Sequence, residues 1–262
     1  MKLDLYQIDA FTNELFGGNL ACVVPLSDWL ADEVLLRIAQ ENAVAETAFL
    51  VEQGDYFHLR WFTPDIEMDL CGHATLAAAH ALHTIRQDRR EHFVFATASG
   101  ELTVTVAGDR YTLDFPARKP LAAKLPAVIG RALNIQPTHV LKSRDYVLVY
   151  EMQEQIRNLR VNRALFDQLN LDPGGVVVTA KGEEVDFVSR YFTPQASILE
   201  DPVTGSAHCS LIPYWSEQLQ KPELVAWQLS ARGGTLYCMQ QGERVLIGGQ
   251  ARTYSIGTCW IA

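Results

Sequence analysis

Alternating hydrophobic and polar positions run through much of this chain, and amphipathic helical stretches lie between them. LDLYQIDAF alternates apolar and polar side chains, which predicts a β-strand, and LACVVPL predicts a buried strand ended by a proline. SDWLADEVLLRIAQENA has apolar residues at helical spacing, with Ser27 in position to cap that helix. TAFLVEQ and FHLRWFTP then predict two strands joined by a turn at Gly54 and Asp55.

A second helix and a β meander complete the first half of the chain. GHATLAAAHALHTIRQ predicts a helix that begins at Gly72, and FVFATASGELTVTVAGDRYTLDFP predicts three strands separated by glycine turns. The proline-rich stretch ARKPLAAKLPAV predicts a linker. We therefore expect an N-terminal α+β half over residues 1–116 and a C-terminal α+β half over residues 117–262, whose last strand could pair back on the first half.

The two halves share one phrase and the order of elements around it. Residues 60–64 are RWFTP and residues 190–194 are RYFTP. Each phrase ends a β-rich run, and an acidic loop, a glycine and a small-residue helix carrying a histidine follow it. Two copies of a half can pack about a pseudo-dyad, so that two helix N-termini face one cleft. The free N–H groups and positive dipole ends of those helices favour an anionic substrate, such as a carboxylate.

Composition and charge exclude several classes of protein. The 262 residues are 48% hydrophobic and 20% charged, with a formal net charge of −9 and a pI of about 5.2. This acidic balance is not typical of a nucleic-acid-binding protein, which needs a basic surface. No secretory leader and no apolar run of membrane-spanning length is evident. The five cysteines are scattered without a CxxC pair, as is typical of reduced thiols. We expect a cytoplasmic protein with neither nucleic-acid nor membrane partners.

Two residues of the first half are candidates for proton transfer. Glu46 lies in the apolar stretch ENAVAETAFLV, where a carboxylate is costly unless it is paired or used. Burial would raise its pKa toward the range of a general acid/base, although the side chain could instead point outward from the strand. His73 follows Gly72 at a helix start, where it could carry a proton or simply cap the helix.

The loop DPVTGS of the second half contains the matching candidates. Asp201 could orient a group or accept a proton, and Ser206 could donate to an oxyanion, although these residue types also favour turns and helix caps. The repeat places Gly205-Ser206-Ala207 at the position that Gly72-His73-Ala74 has in the first half. This equivalence favours a functional role for both motifs over a purely structural one. We expect substrate contacts at Gly72, Ala74, Thr204 and Gly205 of these two motifs. Asn19, in the turn FGGN, is a lesser candidate for a substrate contact, since it could simply serve the turn.

Other patterns carry less chemistry. His80 and His83 have HxxH spacing, but no third ligand is identifiable, and solvated helix histidines are the expectation. Nucleotide-binding glycine motifs and a nucleophile elbow are missing from the sequence. Arg60 and Arg190 recur in the repeat, and we expect them to pair with acidic groups, although one could contact a substrate carboxylate.

Three motifs follow one another along the chain, namely AETAF at 45–49, CGHAT at 71–75 and EDPVTGSAH at 200–208, and DAFTNELFGGN precedes them at the N-terminus. Together they resemble the phenazine-biosynthesis isomerase (PhzF-like) family. The resemblance implies a diaminopimelate-epimerase-like fold: two similar α+β domains, each a barrel-like sheet around a central helix, with the active site between them. It also implies cofactor-independent isomerisation, and a tendency to form homodimers.

Carried over by position, the resemblance makes Glu46 the catalytic glutamate and gives His73, Asp201 and Ser206 the family's other motif positions. Glu46 would move a proton between carbons of a small unsaturated acid, without metal, nucleotide or redox group. Two alternatives remain open. One is a racemase or epimerase that uses two thiols, although Cys71 and Cys209 are not equivalent under the repeat. The other is a non-catalytic binding or scaffold protein of the same fold.

Overall fold

The computed structural model describes residues 1–171 and 174–261. Its contacts divide the chain into two compact units: unit 1, Met1–Asp114 with Ile247–Ala262, and unit 2, Phe115–Leu246. The predicted halves divide the chain two residues later and count 117–262 as the second half, with the provision that its last strand could pair back on the first half. The C-terminal segment lies in unit 1 because its last strand pairs antiparallel with the first, from Lys2 opposite Trp260 to Ala10 opposite Ala251.

Eighteen strands and six α-helices form in the described part of the chain. The strands are β1 (Lys2–Ala10), β2 (Asn19–Leu26), β3 (Glu46–Gln53), β4 (Tyr56–Phe62), β5 (Glu67–Met68), β6 (His92–Thr97), β7 (Gly100–Ala107), β8 (Arg110–Pro116), β9 (Leu121–Ala122), β10 (His139–Lys142), β11 (Tyr146–Val149), β12 (Val176–Lys181), β13 (Phe187–Phe192), β14 (Glu200–Asp201), β15 (Glu223–Gln228), β16 (Gly234–Gln241), β17 (Arg244–Gly249) and β18 (Ala251–Trp260). The helices are α1 (Asp32–Asn42), α2 (Gly72–His80), α3 (Ala127–Ala132), α4 (Gln153–Asn158), α5 (Arg163–Phe166) and α6 (Gly205–Leu219).

Both units contain the same order of strand pairings. In unit 1, β2 and β3 are parallel, β4 is antiparallel to β3 and β5, and β4 is parallel to β6, which pairs antiparallel with β7. In unit 2, β11 to β16 repeat these relationships strand for strand, with β11 in the place of β2. The repeated phrases end β4 and β13, which are therefore matching strands of the α+β fold.

The helices α2 and α6 are central to their own units. Every residue of α2 is buried, because GHATLAAAH contains no long charged side chain and its alanines let strands approach closely. Most residues from Gly205 to Trp215 of α6 are buried as well, with Pro213 inside the helix. A buried helix of small residues fixes the position of its N-terminus, which carries the motif residues in both units.

Three predictions of local structure are wrong in detail. Ser27 is exposed and does not cap α1, since that helix begins at Asp32 and its N-cap is Ala31. The proline-rich stretch is not a plain linker, because Leu121–Ala122 forms β9 and pairs with β10. His80 is buried rather than solvated, since the Tyr111 and Thr253 hydroxyls lie 3.0 Å from its Nδ1 and 2.8 Å from its Nε2.

The helix that starts at Gly72 also changes type. After α2 the chain continues as a π-helical turn, Ala81–Ile85, in place of one long α-helix. Among the described helices none is both long and apolar enough to cross a bilayer.

Candidate active site

Three chain segments begin at the same place in unit 1. Asn19 is the first residue of β2, and Glu46 is the first residue of β3. Because β2 and β3 are parallel, with Ala21 opposite Glu46, the two strands begin at the same end of the sheet. Cys71 immediately precedes α2, whose first turn contains His73. Polar residues that are far apart in the sequence are thereby brought together at two strand starts and one helix N-terminus.

His73 lies at the centre of this group. Its Nε2 is 3.1 Å from Oε2 of Glu46, its Nδ1 is 3.1 Å from Nδ2 of Asn19, and the same Nδ1 is 3.5 Å from Sγ of Cys71. Only 3% of the His73 side chain is exposed, against 14% of the Glu46 side chain. Glu46 is therefore the member of the group that solvent, and a ligand, can reach.

The charges of this group are coupled. Burial acts to lower the pKa of His73, but the neighbouring Cys71 sulfur and Glu46 carboxylate raise that pKa well above its usual range. Burial, and then the charge of Glu46, raise the pKa of the Cys71 thiol to about 11. The ring of His73 therefore lies between two groups, a carboxylate and a sulfur, that both favour its protonated form.

The amide of Asn19 can serve His73 in both protonation states. The Asn19 side chain is fully buried, and its Nδ2 can donate to Nδ1 when the ring is neutral. A half-turn of the same amide presents Oδ1, which accepts from Nδ1–H when the ring is protonated. Asn19 thus has an amide orientation that suits each protonation state of the ring, and its contact fixes the direction in which Nε2 faces.

A second polar network surrounds the start of α6 in unit 2. The Thr204 hydroxyl donates to Oδ2 of Asp201, while the Thr204 N–H donates to Oε1 of Gln228 at 2.9 Å. Gln228, buried at the end of β15, also donates from Nε2 to the Asp201 carbonyl at 2.8 Å and to Oγ1 of Thr204 at 3.1 Å. The loop that carries Asp201 is therefore braced by a residue of another strand.

The remaining predicted residues occupy the two helix starts. Gly72 and Ala74 are buried in the first turn of α2, and Gly205 is buried at the start of α6. Ser206 is partly exposed in the first turn of α6. Backbone N–H groups in these first turns lack partners within their helix, so they are available to an anion.

The predicted residues thus fall into two groups. Unit 1 brings together Asn19, Glu46, Gly72, His73 and Ala74, and unit 2 brings together Asp201, Thr204, Gly205 and Ser206. Sequence reasoning missed Gln228, because nothing in the surrounding letters ties it to a loop 24 residues away. It also treated Cys71 as a core residue, or alternatively as a base, and did not predict that the thiol contacts His73.

The repeated arginines have structural partners. Arg60 forms a two-bond pair with the Glu67 carboxylate at 2.7 Å, and Arg190 forms the same pair with Glu200 at 2.7 and 2.9 Å. Arg190 also donates to the carbonyl oxygen of Leu159 at 2.9 Å. These contacts agree with the expectation that both arginines pair with acidic groups.

The strand register shows where the two units differ chemically. Met68 is opposite Trp61 in β4, while Asp201 is opposite Tyr191 in β13. Because Trp61 and Tyr191 hold the same place in the repeated phrase, Met68 occupies the position in unit 1 that Asp201 has in unit 2. The backbone repeats, but the polar residues of the two motifs do not.

Comparison with known proteins points to one family. The family model described as phenazine biosynthesis-like protein (PhzC-PhzF) matches residues 8–257. A Pseudomonas aeruginosa protein named as an uncharacterised isomerase is 48% identical over 96% of this chain and 96% of its own length. A similarly named protein of Halalkalibacterium halodurans is 43% identical over 97% of each chain. The crystal structure of a PhzF-family protein from Enterococcus faecalis superposes with a TM-score of 0.94 at 42% identity, covering 100% of both chains.

Proposed function

This chain belongs to the phenazine biosynthesis-like (PhzC-PhzF) family, and on that premise we propose that it is an isomerase that moves a proton between two carbons of a small carboxylate metabolite. The observation that carries the proposal is the 3.1 Å contact between the Glu46 carboxylate and the buried His73 ring. Relatives named as isomerases support the reaction class. Glu46 is the general acid/base of this proposal.

The reaction needs one proton and one site. An oxygen of Glu46 removes a proton from a carbon next to the double bond of a small unsaturated acid, and the electron pair delocalises toward the substrate carboxylate. The same Glu46 oxygen then returns the proton to the carbon at the far end of the original double bond, so that the double bond moves by one position and no atom is gained or lost. The His73 ring, 3.1 Å from the carboxylate, holds Glu46 in position for both proton transfers.

The residues of unit 2 have roles in binding in this proposal. The first turn of α6, with Gly205 and Ser206, offers N–H groups and a hydroxyl that suit an anionic group. Asp201 and Thr204 shape the loop before that turn, and the Gln228 brace supports this assignment because it fixes the loop conformation. The first turn of α2 offers N–H groups in the same way, at Gly72 and Ala74.

The thiol alternative has one observation in its favour and two against it. Cys71 lies 3.5 Å from Nδ1 of His73, close enough to exchange a proton with the ring. Burial raises the pKa of Cys71 to about 11 and that of Cys209 to about 12, so neither thiol is poised as a base near neutral pH. A carboxylate is the better base here, and we assign the proton to Glu46.

Deuterium uptake from D₂O tests the proposal even before a substrate has been identified. The protein is incubated with a pool of small unsaturated acids and amino acids, and mass spectrometry reports which compound gains deuterium. Uptake that requires the wild-type protein and disappears with Glu46→Gln supports the proposal. Uptake that survives Glu46→Gln and is lost on alkylation of the thiols supports the racemase. Binding of a compound without any turnover of it supports the non-catalytic alternative.

A further inference from the structure

Three metal-ligating atoms meet at one point of unit 1. A carboxylate oxygen of Glu46, the sulfur of Cys71 and a ring nitrogen of His73 lie within 4.8 Å of one another. Cys71 and His73 flank Gly72 at the start of α2, so the backbone fixes their spacing, and Glu46 approaches from the start of β3. All three side chains belong to elements that pack in the interior of the unit.

Two of the pairwise separations are close to those of a tetrahedral zinc site, although they involve opposite nitrogens of the His73 ring. Zinc bonds of about 2.3 Å to sulfur and about 2.0–2.2 Å to nitrogen or oxygen place the ligand atoms about 3.3–3.6 Å apart. The Cys71 sulfur lies 3.5 Å from Nδ1 of His73, and Oε2 of Glu46 lies 3.1 Å from Nε2. Because a metal takes only one ring nitrogen, closing the third contact requires a side-chain movement of about 1 Å.

Two of these atoms are buried with unused bonding capacity. Within residues 1–171 and 174–261, Oε2 of Glu46 and Nε2 of His73 have no aligned hydrogen-bond partner. Buried polar atoms are nearly always satisfied, and those that are not often mark a site for a ligand or ion. A cation placed between the carboxylate and the ring would satisfy both atoms.

We propose that unit 1 binds one Zn²⁺ ion through Glu46, Cys71 and His73, and that the bound ion blocks the site. Sulfur, imidazole nitrogen and carboxylate oxygen together favour Zn²⁺ over Mg²⁺ or Ca²⁺, which take oxygen ligands. Three protein ligands leave the fourth zinc position to water. Zinc binding at this site does not depend on the proposed isomerase reaction. Inhibition by zinc does rest on that proposed function, because the ion would bind the carboxylate that moves the proton.

Cobalt serves as a spectroscopic probe of this site. Co²⁺ is titrated into the reduced, metal-free full chain, and Zn²⁺ is then added to displace it. We expect one equivalent of Co²⁺ to produce a thiolate charge-transfer band in the near ultraviolet and the visible bands of tetrahedral cobalt, and Zn²⁺ to abolish both. Octahedral spectra without a thiolate band would overturn the proposal.

Matched variants assign the ligands. Cys71→Ser is expected to remove the charge-transfer band and to weaken Zn²⁺ binding at least tenfold in competition with a chromophoric chelator. Cys259→Ser is the control, because Cys259 is the partly exposed thiol. Loss of the band in Cys259→Ser, or its persistence in Cys71→Ser, would overturn the site. Glu46→Gln, expected to weaken Zn²⁺ at least tenfold, decides the matter if Cys71→Ser does not fold.

The blocking effect has its own readout. Once a compound that exchanges with D₂O is known, stoichiometric Zn²⁺ should abolish its exchange, and a chelator should restore it. Exchange that continues at full rate with Zn²⁺ bound would overturn the blocking effect alone. Absence of exchange in metal-free protein would instead contradict the proposed function, and the cobalt spectra would still decide on the site.

Discussion

Oε2 of Glu46 lies 3.1 Å from Nε2 of His73, and the fully buried amide of Asn19 contacts the opposite nitrogen of the same ring. The three residues come from the starts of β2, β3 and α2. This row of side chains places a carboxylate at the solvent-accessible end, a ring that can gain or lose a proton in the middle, and an amide that can turn behind it. Each part of the row can be tested separately.

Substitution of Asn19 should change the protonation of His73. In Asn19→Asp the carboxylate only accepts, so the protonated ring is favoured and the pKa of His73 rises further. In Asn19→Leu the ring loses its partner, and proton-exchange activity should fall about tenfold, the worth of one hydrogen bond of about 1.4 kcal/mol. Nitrogen-15 spectra of the His73 side chain over a pH series report the ring state. Identical titration of His73 in both variants would contradict this role for Asn19.

The thiols should react slowly in the folded protein. Cys22, Cys71, Cys209 and Cys238 are buried, and burial raises the pKa of each thiol. Cys259 is partly exposed. An aromatic disulfide reagent at mildly alkaline pH should therefore modify Cys259 first, and Cys259→Ser should remove the fast phase. Rapid modification of Cys71 or Cys209 would revive the two-thiol mechanism.

The repeated arginines offer a matched pair of stability measurements. Arg190 is 13% exposed and also donates to two carbonyl oxygens, whereas Arg60 is 24% exposed and pairs with side chains that are 37% and 68% exposed. Lysine cannot form the two-bond contact. Arg190→Lys should lower the free energy of unfolding by about 2 kcal/mol and Arg60→Lys by about 0.5 kcal/mol in urea titrations. The reverse order would contradict this account.

Acid should destabilise the protein through two buried histidines. Burial lowers the pKa of both His80 and His208 to about 4. The unfolded chain therefore binds protons first, so stability is complete above pH ~6.5 and is lost as pH falls toward about 4. At pH 5 each histidine should contribute a loss of ~2 kcal/mol relative to pH 7.

His208→Gln isolates one of these two contributions. The variant keeps a donor for the Thr204 carbonyl, which Nδ1 of His208 contacts at 2.8 Å, and it cannot titrate. Its free energy of unfolding should fall less between pH 7 and pH 5 than that of the wild type, by ~2 kcal/mol. Equal pH dependence of the two proteins would show that His208 does not titrate on unfolding as described.

Local sequence was sufficient to identify most of the candidate residues. Glu46 is a carboxylate within an apolar stretch, and His73 follows a glycine at a helix start, so each is unusual for its surroundings. Their contact with each other could not be predicted from spacing, because it depends on the parallel pairing of β2 with β3 and on where α2 packs. The motif resemblance supplied that link in place of geometry.

The differences from the sequence predictions have identifiable physical causes. Ser27 has the chemistry of a cap, yet the chain between it and Asp32 is not helical, so the helix starts later. His80 has the spacing of a solvated helix face, but hydroxyl groups from β8 and β18 surround it. Gln228 has no unusual neighbours in sequence and still braces the Asp201 loop. For His80 and Gln228, contacts distant in the chain override the local pattern.

The assignment of the proton to Glu46 is the central claim, and the rate of carbon-bound hydrogen exchange in D₂O measures it most directly. Wild type, Glu46→Gln, Cys71→Ser and the exposed control Glu41→Gln are compared on one exchanging compound, with thermal unfolding as a check on folding. We expect Glu46→Gln to slow exchange at least ~100-fold, and Glu41→Gln and Cys71→Ser to stay within a few-fold of wild type. Exchange at the wild-type rate in Glu46→Gln, with loss in Cys71→Ser, would contradict the account.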